Sequence, residues 1–149
     1  MLAPVSESEL FIDLSTELLK LGHHVRFRPR GSSMHPTIKD REVVAVEPVE
    51  PVEITRLDII LYLTVRGPIA HRVVRIEKRG ENAASFITRG DASTSCDEPV
   101  EAGQVIGRVV SVERDGRCIN LVSRRAKLRY IAGSCASRFK SRVHAFRSL

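Results

Sequence analysis

The stretch RGSSMHPTI, residues 30–38, sets Ser32 and Ser33 on a bend between Gly31 and Pro36. A serine hydroxyl is too weakly acidic to attack a carbonyl unaided; it needs a base within hydrogen-bond reach and donors for the developing oxyanion. Of the five histidines, His71 stands out, because PIAHRVVRIE sets it in a strongly apolar run where a strand can fix the ring. His23, His24, His35 and His144 lie in less constrained surroundings, and His35, two residues from Ser33 along a loop, is poorly placed to take its proton. A carboxylate to hold the imidazole tautomer is present twice, at Asp91 and Asp97 in TRGDASTSCDEPV, and either can serve. The chemistry these residue types offer is acyl transfer through a serine nucleophile. Scattered along the chain they are common to most proteins, so the elements that position them carry the argument.

SESELFIDLSTELLKLG has Ser6 and Glu9 at capping-box spacing, apolar residues at Leu10, Leu14, Leu18 and Leu21, and a stop at Gly22, which predicts one amphipathic helix. HHVRFRPRG alternates Val25 and Phe27 with arginines, a half-buried strand that delivers the chain to the serine bend. Further strands are expected at EVVAVEP, DIILYLTV, AHRVVRIEKRG, ASFITRG and QVIGRVVSVERDGRCINLV, each bounded by Pro, Gly or charged turn residues. Asp115-Gly116 suits the positive φ angles of a type I′ hairpin. The pattern predicts a mainly β fold, a compact antiparallel sheet or barrel, with a helix at each end.

From Ser123 to Leu149 there are eight Lys or Arg and no acid; removing those eight from the 24 basic residues leaves 16 against 18 acidic, a balance of −2. The net charge of +6 is therefore a property of the tail. The tail reads as a basic amphipathic helix with Leu128, Ile131, Ala132, Cys135, Phe139, Val143 and Phe146 along one face. Such a helix is first a solvated face; it also suits peripheral contact with an anionic membrane surface or an acidic partner. It lacks the interleaved aromatics of a single-strand binder, so no nucleic-acid partner is expected.

At 149 residues and 42% hydrophobic content the chain supports one domain over 1–149, with a core of about 24–122 and the basic helix over about 123–149. Cys96, Cys118 and Cys135 form neither a disulfide framework nor a zinc motif, which fits a reducing compartment and predicts no metal or other cofactor. The N-terminus has no signal-peptide pattern and no window approaches 18 apolar residues. The expected location is cytoplasmic, with peripheral membrane contact through the basic tail as the second option.

The blocks GSSMHPTI, DIILYLTV, AHRVV, TRGDASTSCD and VIGRVVSV resemble, in the same order, the catalytic domain of type I signal peptidases and their relatives, the clan that includes the self-cleaving repressors. The family pattern is Gly-x-Ser-Met-x-Pro-Thr-Leu, two Gly-Asp-hydrophobic strand starts, a base-bearing strand, a Lys/Arg-Gly-Asp loop and a Val-x-Gly-Lys/Arg-Val strand. The resemblance runs from Arg30 to about Val112, and Ser-Met-x-Pro is its most specific element. It implies that Ser33 is the nucleophile with Met34 and Pro36 as fixed neighbours. His-Arg-Val-hydrophobic resembles the histidine-base branch of the endoplasmic-reticulum signalase, which makes His71 the base and implies Asp97 as its orienting acid. Asp91 is then a loop-shaping residue or the alternative acid.

Three positions depart from the pattern: Arg41-Glu42 stands where Gly-Asp is usual, Leu57 replaces the usual Gly, and Gly31 occupies a position where some members carry a serine that assists the oxyanion hole. The function implied is a serine endopeptidase that cleaves an extended peptide or protein precursor, with small residues before the cut. The competing expectation is a non-catalytic peptide- or membrane-binding module on the same fold.

Overall fold

In IILYL, residues 59–63, both faces of the strand carry large apolar or aromatic side chains, so it must be covered on both sides and belongs in the middle of a sheet. The computed structural model describes residues 6–81 and 83–146, with side chains to residue 135 apart from that of 83. The elements are α1 (Glu7–Lys20), β1 (Val25–Phe27), β2 (Val43–Glu47), β3 (Ile59–Thr64), β4 (Gly67–Arg79), β5 (Ala83–Arg89), β6 (Val100–Glu101), β7 (Val105–Arg114), β8 (Arg117–Asn120) and α2 (Arg124–Phe146). IILYL lies within β3. Ile59 and Leu61 face one apolar cluster, with Val44, Val46, Val109, Met34 and Leu19; Ile60 and Tyr62 face another, with Val73, Phe86 and Val100.

The eight strands form one antiparallel sheet in the order β1-β2-β7-β3-β4-β5-β6, with β8 pairing β7 beyond the end of β3. The path is open, with β1 and β6 at its ends, so of the expected sheet or barrel it is the open sheet that forms. The thirteen-residue β4 pairs with β3 through its first half and with β5 through its second. It starts at Gly67, so His71 lies inside the strand opposite Ile60, not at its beginning. The Asp115-Gly116 turn has φ of 52° and 72° and closes the β7–β8 hairpin as its sequence demands.

The capping box at Ser6 and Glu9 forms, and α1 ends at Gly22 with φ +88°. The face it turns inward carries Ser15, Thr16 and Leu19, while Leu10, Leu14 and Leu21 are exposed. Two faces of this helix have helical spacing, and close approach to the sheet selects between them. A Cβ on Gly107 of β7 would stand 2.5 Å from Val46 Cγ1 and 2.9 Å from the Glu47 carbonyl oxygen, so the missing side chain lets β2 close on β7 beneath the helix, with Leu19 in ordinary contact.

In α2 the expected apolar face is likewise not the one that docks: Leu128 and Ile131 are exposed. Lys127 and Tyr130 make the contacts instead. Lys127 Nζ lies 2.7 Å from buried Asp58 Oδ1, and the Arg72 guanidinium stacks 3.9 Å from the Tyr130 ring centre. Phe139, Val143 and Phe146 fall outside the described side chains. Among the described residues no helix is long and apolar enough to cross a membrane.

Candidate active site

The serine loop leaves β1 through Pro29 and bends at Gly31, whose φ of +103° favours glycine. Its N–H donates to Asp40 Oδ1 at 2.7 Å, tying the two ends of the loop together. Met34 and Ile38 sink into the core cluster, an Ile38 N–H to Met34 carbonyl bond closes one turn, and Ser33 stays exposed above them. The His35–Pro36 peptide is cis. From below, Arg114 spans the loop: its Nη2 donates to the Pro36 and Thr37 carbonyls at 3.3 and 3.2 Å, and its Nε and Nη2 bind Glu42 at 2.5 and 2.8 Å. The Arg114 guanidinium holds the Glu42 carboxyl below its ordinary range despite burial.

The Ser33 hydroxyl lies 3.0 Å from His71 Nε2, and His71 Nδ1 lies 2.6 Å from Asp97 Oδ2. Thirty-eight residues separate the first pair in sequence and twenty-six the second. Asp97 is reached by chain geometry as well as by side chains, since its backbone N–H donates to the Thr88 carbonyl at 2.8 Å. Its Oδ2 also accepts from Thr88 Oγ1 at 2.8 Å and from the Tyr62 hydroxyl at 3.3 Å. Burial pushes the Tyr62 phenol up to about 12, with the Asp97 charge adding to the rise, so the group is a standing proton donor at neutral pH.

The pleat separates the two aspartates. Successive side chains of β4 point to opposite faces, so His71 and Arg72 leave the strand in opposite directions. The His71 side carries Ile60 and, through the β4–β5 register, Thr88 across from Val73. Asp97 is on that side. Arg72, buried on the other, binds Asp91 through Nε and Nη2 at 2.8 and 2.7 Å, donates to the Leu57 carbonyl at 2.9 Å and lies under Tyr130. Thr37 Oγ1 donates to Asp91 Oδ2 at 2.5 Å. Asp91 therefore joins the loop after β5 to the serine loop, and Asp97 is the carboxylate on His71.

Backbone contacts complete the join. Ala92 N–H donates to the Ser33 carbonyl at 2.9 Å and Asp91 N–H to Met34 Sδ at 3.4 Å. Gly90 is buried against the back of the serine, where a Cβ would meet the Ser33 carbonyl oxygen at 2.6 Å and His71 Nε2 at 3.2 Å. Tyr62, Thr88 and Arg114 escape a reading of the sequence, since each is an ordinary strand residue until the register puts it beside its partner, and Arg72 and Thr37 stand inside the His-Arg-Val and Pro-Thr patterns without a role assigned to them. Gly90 was visible only as half of Gly-Asp.

A cleft of about 670 Å³ opens beside Ser33 and His71. Phe11 and Ile12 of α1 form one wall, Phe27 and the chain to Gly31 another, and Leu61, Ile69 and Ala70 line it further. Phe11 and Phe27 meet edge to face with ring centres 6.4 Å apart. β1 is an edge strand, so the chain entering the serine loop has an unpaired side among the described residues. No hydrogen bond among the described residues uses the Ser33 N–H or the Ser32 hydroxyl. No family model matches the chain, and no curated protein matches it either.

Proposed function

We propose that the protein is a serine endopeptidase of the signal-peptidase-like clan, hydrolysing a peptide bond in an extended peptide or protein precursor. The observation that carries this reading is the Ser33–His71–Asp97 chain of hydrogen bonds ending at an apolar cleft. Each atom is within the reach that proton transfer requires. Ser33 Oγ attacks the scissile carbonyl carbon while His71 Nε2 takes the hydroxyl proton. The tetrahedral intermediate collapses with loss of the C–N bond, and His71 gives that proton to the leaving amine. Water then attacks the acyl-serine, His71 takes one of its protons, and the carboxylic acid leaves as Ser33 regains its hydrogen. Asp97 keeps His71 in the tautomer with Nε2 free to accept and stabilises the imidazolium between steps.

The Ser33 N–H is the first donor for the oxyanion, with the Ser32 hydroxyl as a second. The peptide lies extended in the cleft beside β1, its main chain able to pair with the strand edge and its side chains against Phe11, Phe27 and Ile69. The test is incubation of peptide libraries with the parent protein and with Ser33→Ala, His71→Ala and Asp97→Asn, read by mass spectrometry. The first two are expected to lower kcat/KM by at least about 10³-fold and the third by about 10²- to 10⁴-fold. Cleavage by Ser33→Ala at the parent rate sinks the proposal, and cleavage of no peptide by any form leaves a binding module as the better reading.

A further inference from the structure

A second cavity, of about 940 Å³, is bounded by α2, the end of β5 and the loop that follows it, and shares no described lining residue with the cleft. Four arginines line it, Arg72, Arg89, Arg114 and Arg129, against one carboxylate, Asp91. Two of the four charges are already answered, since Arg72 binds Asp91 and Arg114 binds Glu42. Arg89 is directly across the β4–β5 ladder from Arg72, a like-charge pair that the single Asp91 only half compensates. One Arg89 N–H goes to the Tyr130 hydroxyl at 3.2 Å, and among the described residues neither Arg89 nor Arg129 has a carboxylate partner. Tyr130, accepting from Arg89, keeps its own O–H to donate, and the Thr94 hydroxyl stands on the same rim.

Two uncompensated guanidinium groups and two hydroxyls around one cavity match the acceptor-rich, doubly charged oxygens of a phosphate, which forked Arg donors bind best. We infer that this cavity binds a phosphate-class anion, either free phosphate or the phosphate of a lipid headgroup, through Arg89, Arg129 and Tyr130. Arg89 immediately precedes Gly90, and the cavity wall includes Asp91 and Ala92, which hold the Ser33 loop. An anion seated there stiffens the segment that leads to Asp97, linking a second site to the first. The inference stands on binding alone and does not depend on the peptidase reading.

Calorimetric titration of the full chain with sodium phosphate, against sodium chloride at equal ionic strength, tests it. A saturable phosphate isotherm is expected, weakened about tenfold or more by R89Q and by R129Q. R125Q, which removes the same charge from α2 at an exposed position outside the cavity, is expected to leave binding unchanged. Vesicles of phosphatidylcholine with and without phosphatidic acid form the second arm: sedimentation with the acidic vesicles, lost in R129Q and kept in R125Q, assigns the headgroup as the source. Binding in neither arm overturns the inference, as does binding that R129Q and R125Q weaken equally. R129Q alters an exposed residue, so the test survives if R89Q fails to fold.

Discussion

A methyl group at Gly90 would stand 2.6 Å from the Ser33 carbonyl oxygen, a backbone atom that cannot swing aside. Gly90→Ala must therefore push the serine loop away from β5 and break the Ser33–His71 alignment. Since misplacement by about 1 Å costs a reaction on the order of 10²-fold, kcat/KM should fall by about that factor. Steady-state kinetics on a cleaved peptide check it, and unchanged kinetics mean that the loop contact has no catalytic consequence. Asp97 receives three side-chain hydrogen bonds at one oxygen, from His71, Thr88 and Tyr62. Donors of this kind keep it an acceptor aimed at the imidazole. The Ser-Met-x-Pro and His-Arg-Val patterns pointed to Ser33 and His71; nothing in the sequence pointed to Tyr62 or Thr88, because a buried phenol and a strand threonine look the same with or without an aspartate nearby.

At the level of elements, two positions where the resembled pattern has glycine lie in turns that call for positive φ. Arg41 and Leu57 take φ of 61° and 77°, the region that favours the glycine each replaces. Left-handed backbone costs a side-chain-bearing residue about 1–2 kcal/mol, and glycine's greater unfolded freedom returns about half, so Arg41→Gly should stabilise by about 0.5–1 kcal/mol. Urea unfolding measures this; a loss of stability would mean that the Arg41 side chain contributes more than its backbone costs. Leu57 is buried, so the same exchange there forfeits packing.

Between these elements Glu42 and Arg114 brace the serine loop. The Glu42 carboxyl is depressed by the Arg114 hydrogen bond, so the folded state binds its proton less readily than the unfolded chain. Its contribution is full above the unfolded value and is lost as pH falls through the lower folded one. Glu42→Gln should therefore cost about 1–2 kcal/mol at pH 7 and progressively less below the ordinary glutamate range. Urea midpoints from pH 7 to pH 3 check it; parallel curves for the two proteins would contradict it.

The whole molecule is held at its C-terminal end by polar contacts. Lys127 Nζ reaches buried Asp58 Oδ1 at 2.7 Å and Thr55 Oγ1 at 2.8 Å, while Asp58 keeps Arg108 at 3.4 Å. Lys127→Met leaves that carboxylate short of one charge and should cost about 2 kcal/mol, less than a buried pair with no remaining partner. Chemical denaturation gives the cost, and limited proteolysis should release the tail sooner than in the parent; equal proteolysis rates would show that Lys127 does not anchor α2. Exposed Leu10, Leu14, Leu128 and Ile131 explain why helical periodicity misled: spacing identifies a stripe, but not whether a sheet is there to receive it.

Local rules were enough for the capping box, the Asp-Gly hairpin and every strand but the two-residue β6, because each depends on neighbours in the chain. The choice between open sheet and barrel, the faces of both helices, and the division of Asp97 and Asp91 between His71 and Arg72 depended on register and pleat. Those are set by strands far apart in sequence, and a shift of one residue would exchange the two faces of β4.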